Sequence, residues 1–72
     1  MKKIKKIKIK VNGKVNIINK GIKLSNLIKR LKIPIKKVAI ELNQEIIEKK
    51  NIDRVVLKKN DQIEIVHFIG GG

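Results

Sequence analysis

Side chains that act as nucleophiles or general bases are scarce in this sequence. It contains no Cys, no Tyr and one His, and its single Ser, Ser25, is better explained as the N-cap of a helix. His67 is in register with Ile63 and Ile65, which indicates a packing or solvent-exposed residue at a strand end in preference to a proton donor. Since no nucleophile and base can be paired, we predict no catalytic residue in this chain.

The acidic residues and the internal glycines do not indicate a ligand site. The acidic residues in the middle of the chain lie near lysines on predicted solvent faces, and we interpret them as surface charge: Glu41, Glu45, Glu48 and Asp53. The two internal glycines are isolated, so the pattern of a phosphate-binding loop is missing. We therefore predict no metal site and no bound cofactor.

The three glycines at the end of the sequence, Gly70, Gly71 and Gly72, are its most unusual feature. Without a Cβ, such a segment can pass through a narrow channel. A C-terminal carboxylate becomes reactive when it attacks the α-phosphate of ATP and forms an acyl adenylate, and a sulfur nucleophile can then displace AMP. This chemistry uses main-chain atoms only. A terminal Gly-Gly alone is a weak indication, but it is much stronger directly after a predicted core strand.

The elements that must position this tail begin with a hairpin and a helix. Residues from Ile7 to Val11 alternate between Ile or Val and Lys, the pattern of a half-buried strand. Asn12-Gly13 then predicts a two-residue turn into a second strand across Val15 and Ile17. A helical stripe follows, which Pro34 should end near Lys32; its members are Leu24, Leu27, Ile28 and Leu31.

The second half of the chain predicts strands. Residues 38 to 42 form the third, which turns at Asn43-Gln44 and returns briefly through Ile46 and Ile47. After a less regular stretch, a turn at Asn60-Asp61 leads into the last strand. We expect an α+β fold, a mixed sheet packed on one helix, with the last strand central and beside the first.

Composition indicates one small domain with an uneven charge. Its 72 residues carry a formal charge of +13, and residues 1 to 37 hold 14 of the 19 basic groups and no acidic one. Either an A/T-rich codon bias or an anionic partner accounts for this surplus. The lack of Cys, of a signal-peptide core and of a long apolar run leads us to expect a cytoplasmic protein without a membrane partner.

Two segments resemble the ThiS family of thiamine biosynthesis: residues 38 to 43, VAIELN, and above all residues 61 to 72, DQIEIVHFIGGG. In element order and length the resemblance covers the whole chain, whereas the lysine-rich first half matches only in pattern. It implies a ubiquitin-like β-grasp domain over residues 1 to 69 and a flexible tail over residues 70 to 72. Family members often have Gly where Gln44 and Asn60 stand, so the geometry of these two turns is expected to differ from that of the family.

The resemblance also implies a sulfur carrier that is not itself an enzyme but a co-substrate of its partners. A ThiF-like enzyme would adenylate Gly72 with Mg-ATP, and a cysteine desulfurase persulfide would supply the sulfur. The resulting thiocarboxylate would serve thiazole synthase, ThiG. Gly70 and Gly71 would be required for activation. We expect a monomer in the absence of partners.

Alternation of the last strand predicts where partners bind. If Ile63 and Ile65 face the helix, Val66 and Phe68 lie on the opposite face with no core to enter. We predict that these two residues and Ile69 form a partner-binding surface beside the tail.

Other functions remain open at this stage. A MoaD-like protein or a carrier for tRNA thiolation would share the fold and the tail. A basic nucleic-acid-binding module would use the N-terminal lysines as phosphate contacts, but Phe68 is the sole aromatic residue on which a base could stack. We therefore consider a nucleic-acid partner the weaker hypothesis.

Overall fold

The computed structural model describes residues 5 to 68 and contains five strands and one α-helix. In chain order these are β1 (Lys6–Val11), β2 (Lys14–Asn19), α1 (Leu24–Arg30), β3 (Val38–Leu42), β4 (Glu45–Ile46) and β5 (Gln62–His67). Two 3₁₀ helices, Ile35–Lys37 and Lys49–Arg54, precede β3 and follow β4. The predicted tail and the predicted boundary at residue 69 lie outside the described residues.

The strands form one mixed sheet in the order β2-β1-β5-β3-β4. β5 is central and parallel to β1, with Lys10 opposite Gln62, while the other pairs are antiparallel. Parallel neighbours need a crossover connection, and the chain between them includes α1. The predicted mixed sheet with a central last strand is confirmed.

Two short turns set the register of the hairpins. Asn12 and Gly13 have φ angles of 49° and 80°, so both adopt the left-handed conformation of a two-residue hairpin turn. The turn between β3 and β4 is similar, with φ angles of 51° at Asn43 and 72° at Gln44. Glycine takes these angles without a steric penalty, whereas Gln44 carries a side chain there.

The predicted N-cap of α1 is wrong. The helix begins at Leu24, Lys23 occupies the cap position without a side-chain hydrogen bond, and Ser25 is buried within the first turn. Long-range pairing fixes this start: the Leu24 N–H donates to the Val55 carbonyl at 2.8 Å, and the Leu57 N–H donates to the Ile22 carbonyl at 2.9 Å. Tertiary pairing therefore replaces the side-chain cap that the sequence predicted.

The helix ends close to the predicted position. Arg30 is its last residue, and Lys32 follows with a left-handed φ of 56°. The Ile33 N–H donates to the Ile28 carbonyl at 3.1 Å, and the Lys32 N–H donates to the Lys29 carbonyl at 3.0 Å. This pair of bonds is a Schellman motif, which satisfies the last carbonyls of the helix two residues before Pro34.

A single apolar layer lies between α1 and one face of the sheet, which we call the inner face. Its fully buried members include residues from every large element: Ile9, Ile18, Leu24, Leu27, Val38, Ile40, Leu57 and Ile63. Leu31 is an exception to the predicted stripe, because it follows the last helical turn and is 37% exposed. Within residues 5 to 68, no helix is long and apolar enough to cross a bilayer.

Candidate functional site

The two faces of β5 separate core residues from exposed apolar residues. Ile63 and Ile65 are buried on the inner face, at 1% and 7% exposure. Val66 and Phe68 are each 56% exposed, and alternation places them on the opposite face of the sheet, which we call the outer face. The predicted assignment of the two faces is confirmed, and we call Val66 and Phe68 the exit patch.

Little in the sheet covers Val66. Its partner on β3 is Ala39, the smallest side chain of that strand. On its other side, β1 ends at Val11, which lies opposite Ile63. The end of β5 therefore projects beyond β1, and Val66 stands beside a small neighbour on one flank and past the end of a strand on the other.

The side chain of Asn12 bonds to the part of β5 that extends beyond the end of β1. Its Nδ2 donates to the Ile65 carbonyl at 3.2 Å, and its Oδ1 accepts from the Ile65 N–H at 2.7 Å. A carboxamide carries both a donor and an acceptor, so it reproduces the bonds of one further strand residue. The sequence predicted only a turn residue at Asn12, because nothing local indicates a partner so distant along the chain.

Backbone and cationic contacts hold the chain at Phe68. The Phe68 N–H donates to the Lys37 carbonyl at 2.9 Å, one step beyond the last pair of β3 and β5. The Lys49 ammonium lies 5.2 Å from the centroid of the Phe68 ring, within the range of a cation–π interaction. A partner that covers Phe68 must therefore compete with the Lys49 side chain.

Polar side chains also fix the start of β5. The buried carboxylate of Asp61 accepts from the Lys58 N–H at 2.7 Å and from Asn43 Nδ2 at 3.0 Å. Asn43 Oδ1 in turn accepts from the Gln62 N–H at 2.9 Å. Asp61 and Asn43 thus join the turn after β3 to the turn before β5, and we assign both side chains a structural role.

The remaining predicted site residues are dispersed or not described. His67 is exposed and pairs with Val38 at the end of the sheet. Within the described part of the chain, no three His, Cys, Asp or Glu side chains are close enough to hold a metal ion. Four residues of the predicted partner surface and tail lie outside the described range: Ile69, Gly70, Gly71 and Gly72. Their roles remain predictions.

A mixed five-stranded sheet around a central parallel pair, with one helix on its inner face, is the ubiquitin-like β-grasp fold. The model of the ThiS family matches residues 5 to 72. The chain belongs to the ThiS family.

Individual relatives agree with this assignment. The chain is 43% identical over 49 residues to the sulfur carrier protein ThiS of Bacillus subtilis, covering 68% of this chain and 74% of that protein. The crystal structure of the thiamine biosynthesis protein ThiS from Geobacter metallireducens superimposes with a TM-score of 0.81 at 30% identity, covering 92% of this chain and 100% of that one.

A further relative is much longer than this chain. The thiazole synthase of Magnetococcus marinus is 41% identical over 66 residues, which are 92% of this chain. The chain spans only 20% of the length of that relative. In that organism, a segment similar to this domain therefore forms part of a larger polypeptide that is named thiazole synthase.

Proposed function

We propose that this chain is a sulfur carrier of thiamine biosynthesis, whose Gly72 carboxylate is adenylated and converted to a thiocarboxylate that donates sulfur for thiazole formation. One observation carries the proposal: the family match extends through the terminal glycines, and the central strand β5 leads toward them beside an exposed apolar patch. A carboxylate oxygen would attack the α-phosphate of ATP and release pyrophosphate. The terminal sulfur of a persulfide would then attack the acyl carbon and displace AMP, and a thiol reductant would cleave the S–S bond of the resulting acyl disulfide to release the thiocarboxylate.

In this proposal the chain supplies main-chain atoms and a docking surface, and it is not itself an enzyme. Mg-ATP would be bound by a ThiF-like activating partner, and a persulfide donor such as a cysteine desulfurase would provide the sulfur. Val66 and Phe68, each 56% exposed, would contact the activating enzyme together with Ile69. Burial of such side chains on docking is favourable, because apolar surface leaves water.

Thiazole synthase is the acceptor that the comparisons favour. In Magnetococcus marinus, a segment 41% identical to this chain belongs to a protein of that name. Two functions that share one polypeptide in a relative are natural partners when they occur on separate chains. This relative therefore supports delivery of sulfur to a thiazole synthase over delivery to a molybdopterin or tRNA acceptor.

Truncation tests the proposed role of the tail. Deletion of Gly71 and Gly72 should abolish ATP–pyrophosphate exchange by a ThiF-like enzyme, while the melting temperature of the domain stays nearly unchanged. Deletion of Lys2 and Lys3 at the other terminus is a control of equal size and should leave the exchange rate unaltered. Exchange that continues at the same rate after removal of the two glycines would refute activation at the C terminus.

A further inference from the structure

A groove with a volume of about 540 Å³ lies at the other end of the sheet from the exit patch. It is lined by the start of β1, the turn that follows β2 and the loop before β5. Because β1 and β5 are parallel, their starts lie at the same end of the sheet. Lys6 lies four residues before Lys10, the partner of Gln62, and Val66 lies four residues after Gln62, so the groove and the exit patch are separated by the length of eight strand residues, about 26 Å.

The floor of the groove is apolar. Ile7 is half-buried, Leu57 is buried, and Val56 is 47% exposed. The backbone around them is held in place, since the Leu57 N–H donates to the Ile22 carbonyl and the Lys20 N–H donates to the Lys5 carbonyl. A ligand that fills this groove must offer apolar surface to cover Val56.

The rim of the groove is strongly basic. Five exposed lysines surround the floor: Lys5, Lys6, Lys20, Lys58 and Lys59. No acidic residue lines the groove, and the one ion pair found within residues 5 to 68 joins Lys50 to Glu48 elsewhere. The nearby carboxylate of Asp61 is buried and occupied by the Lys58 N–H and by Asn43. Within the described residues, no carboxylate pairs with the rim lysines.

We propose that this groove docks an acidic, amphipathic segment of a partner protein, with an apolar side chain over Val56 and carboxylates beside the rim lysines. The combination of an apolar floor and a basic rim requires both features in one ligand. A bare polyphosphate or nucleic-acid backbone would leave the floor uncovered, and the groove has no aromatic side chain for base stacking. A second copy of the chain is opposed by the repulsion of two molecules of charge +13.

Docking at this end of the fold leaves the exit patch free. A partner segment held in the groove would occupy the start of β1 and the loop before β5, whereas Val66 and Phe68 lie at the end of β5. The same carrier can therefore be retained by an acidic partner while its tail enters another site. The groove has this property whatever chemistry the tail performs, so the inference is independent of the proposed sulfur transfer.

The test uses a short fluorescein-labelled peptide that is rich in Glu and contains two Leu residues. Its affinity for the full chain is measured by fluorescence anisotropy at physiological salt, and amide shifts in NMR spectra locate the contact. We expect shifts at Lys20, Gly21 and residues 56 to 59. The double variant Lys58→Gln/Lys59→Gln should bind about tenfold more weakly, the sum of two exposed ion pairs. Val56→Ser should also weaken binding.

Matched controls decide whether the groove is specific. The double variant Lys29→Gln/Lys36→Gln has the same net charge and lies outside the groove, so it should bind like the parent chain. A peptide in which both Leu are replaced by Gln should bind at least tenfold more weakly. The proposal is overturned by equal loss in both double variants, by equal binding of the Leu-free peptide, by an oligo-dT strand that displaces the peptide, or by no binding at all.

Discussion

The inner face of the sheet buries Ile9, Ile40 and Ile63 almost completely, whereas the outer face leaves Val15 and Val66 with more than half of their side-chain surface exposed. These five side chains are alike, since all of them are β-branched and apolar. What differs is the cover, because residues 5 to 68 contain one α-helix, α1, and it lies on one face of the sheet. An apolar residue in a strand is therefore part of the core or part of a surface according to its side of the sheet.

The exposed apolar residues of the outer face form separate groups. Val15 and Ile17 lie on the edge strand β2, opposite Lys10 and Lys8. Val66 and Phe68 lie at the end of the central strand, within six residues of Gly72 in the sequence. Lysine stems beside the first group can cover apolar surface while their ammonium groups remain in water. The second group is the one that we propose contacts the activating enzyme.

The largest effect should come from a charge on the inner face. Ile65→Asp should unfold the domain, since it places an unpaired carboxylate at a position that is 7% exposed, with an expected cost above about 4 kcal/mol. Val66→Asp is the neighbouring control and should retain a cooperative melt. Thermal unfolding followed by circular dichroism compares the two, and similar melting temperatures for both variants would contradict the assignment of faces.

Charges in the exit patch should instead weaken docking. Val66→Asp or Phe68→Asp should reduce affinity for a ThiF-like enzyme by about 1–3 kcal/mol, because the burial of one apolar side chain is lost. Val15→Asp is a matched control, as Val15 is 54% exposed on the same face but lies on the edge strand β2, two strands away from β5. Isothermal titration measures each affinity. Equal losses for Val15→Asp and Val66→Asp would show that docking is not centred on the exit patch.

The register that separates the two faces depends on Asn12. Asn12→Asp keeps the acceptor for the Ile65 N–H but turns an oxygen toward the Ile65 carbonyl, and it should lower the free energy of unfolding by about 1–3 kcal/mol. Asn16→Asp introduces the same charge where the side chain bonds only to the nearby Lys14 carbonyl. Its effect should stay within about 0.5 kcal/mol in urea denaturation. Equal destabilisation by both changes would deny Asn12 this role.

The smallest effect should come from the turn between β3 and β4, whose second residue is not the glycine that its backbone angles favour. Gln44 has a φ of 72°, so Gln44→Gly should raise the free energy of unfolding by about 0.5–1 kcal/mol through relief of left-handed strain. Gln62→Gly, in the extended strand β5, should lower it by a similar amount. If Gln44→Gly lowers the stability, the turn is not strained by its side chain.

Local patterns in the sequence predict much of this fold. Alternation around Ile7 to Val11, the dipeptide Asn12-Gly13 and the alternation of the last strand predict the hairpin and both faces of β5. Resemblance adds the central claim about Gly72. These features are predictable because each depends on residues close together in the chain.

Features that depend on distant residues escape such reasoning. The helix starts at Leu24 because of a bond to Val55, which makes Ser25 an interior residue. The hydrogen bonds between the Asn12 side chain and the Ile65 backbone join positions 53 residues apart. The basic groove assembles lysines from three separate segments. No periodicity or short motif in the sequence indicates these long-range contacts, so only the folded structure shows them.

Sulfur loading at Gly72 is tested most directly by a change in mass. Intact mass spectrometry of the chain, after co-expression with a ThiF-like enzyme and a sulfur source, should show the mass gain that accompanies replacement of one oxygen by sulfur. Fragmentation should place the gain on Gly72, and a chain that lacks Gly72 should show none. An unchanged mass in the presence of an active ThiF-like enzyme, or a gain located on a residue other than Gly72, would contradict sulfur loading at Gly72.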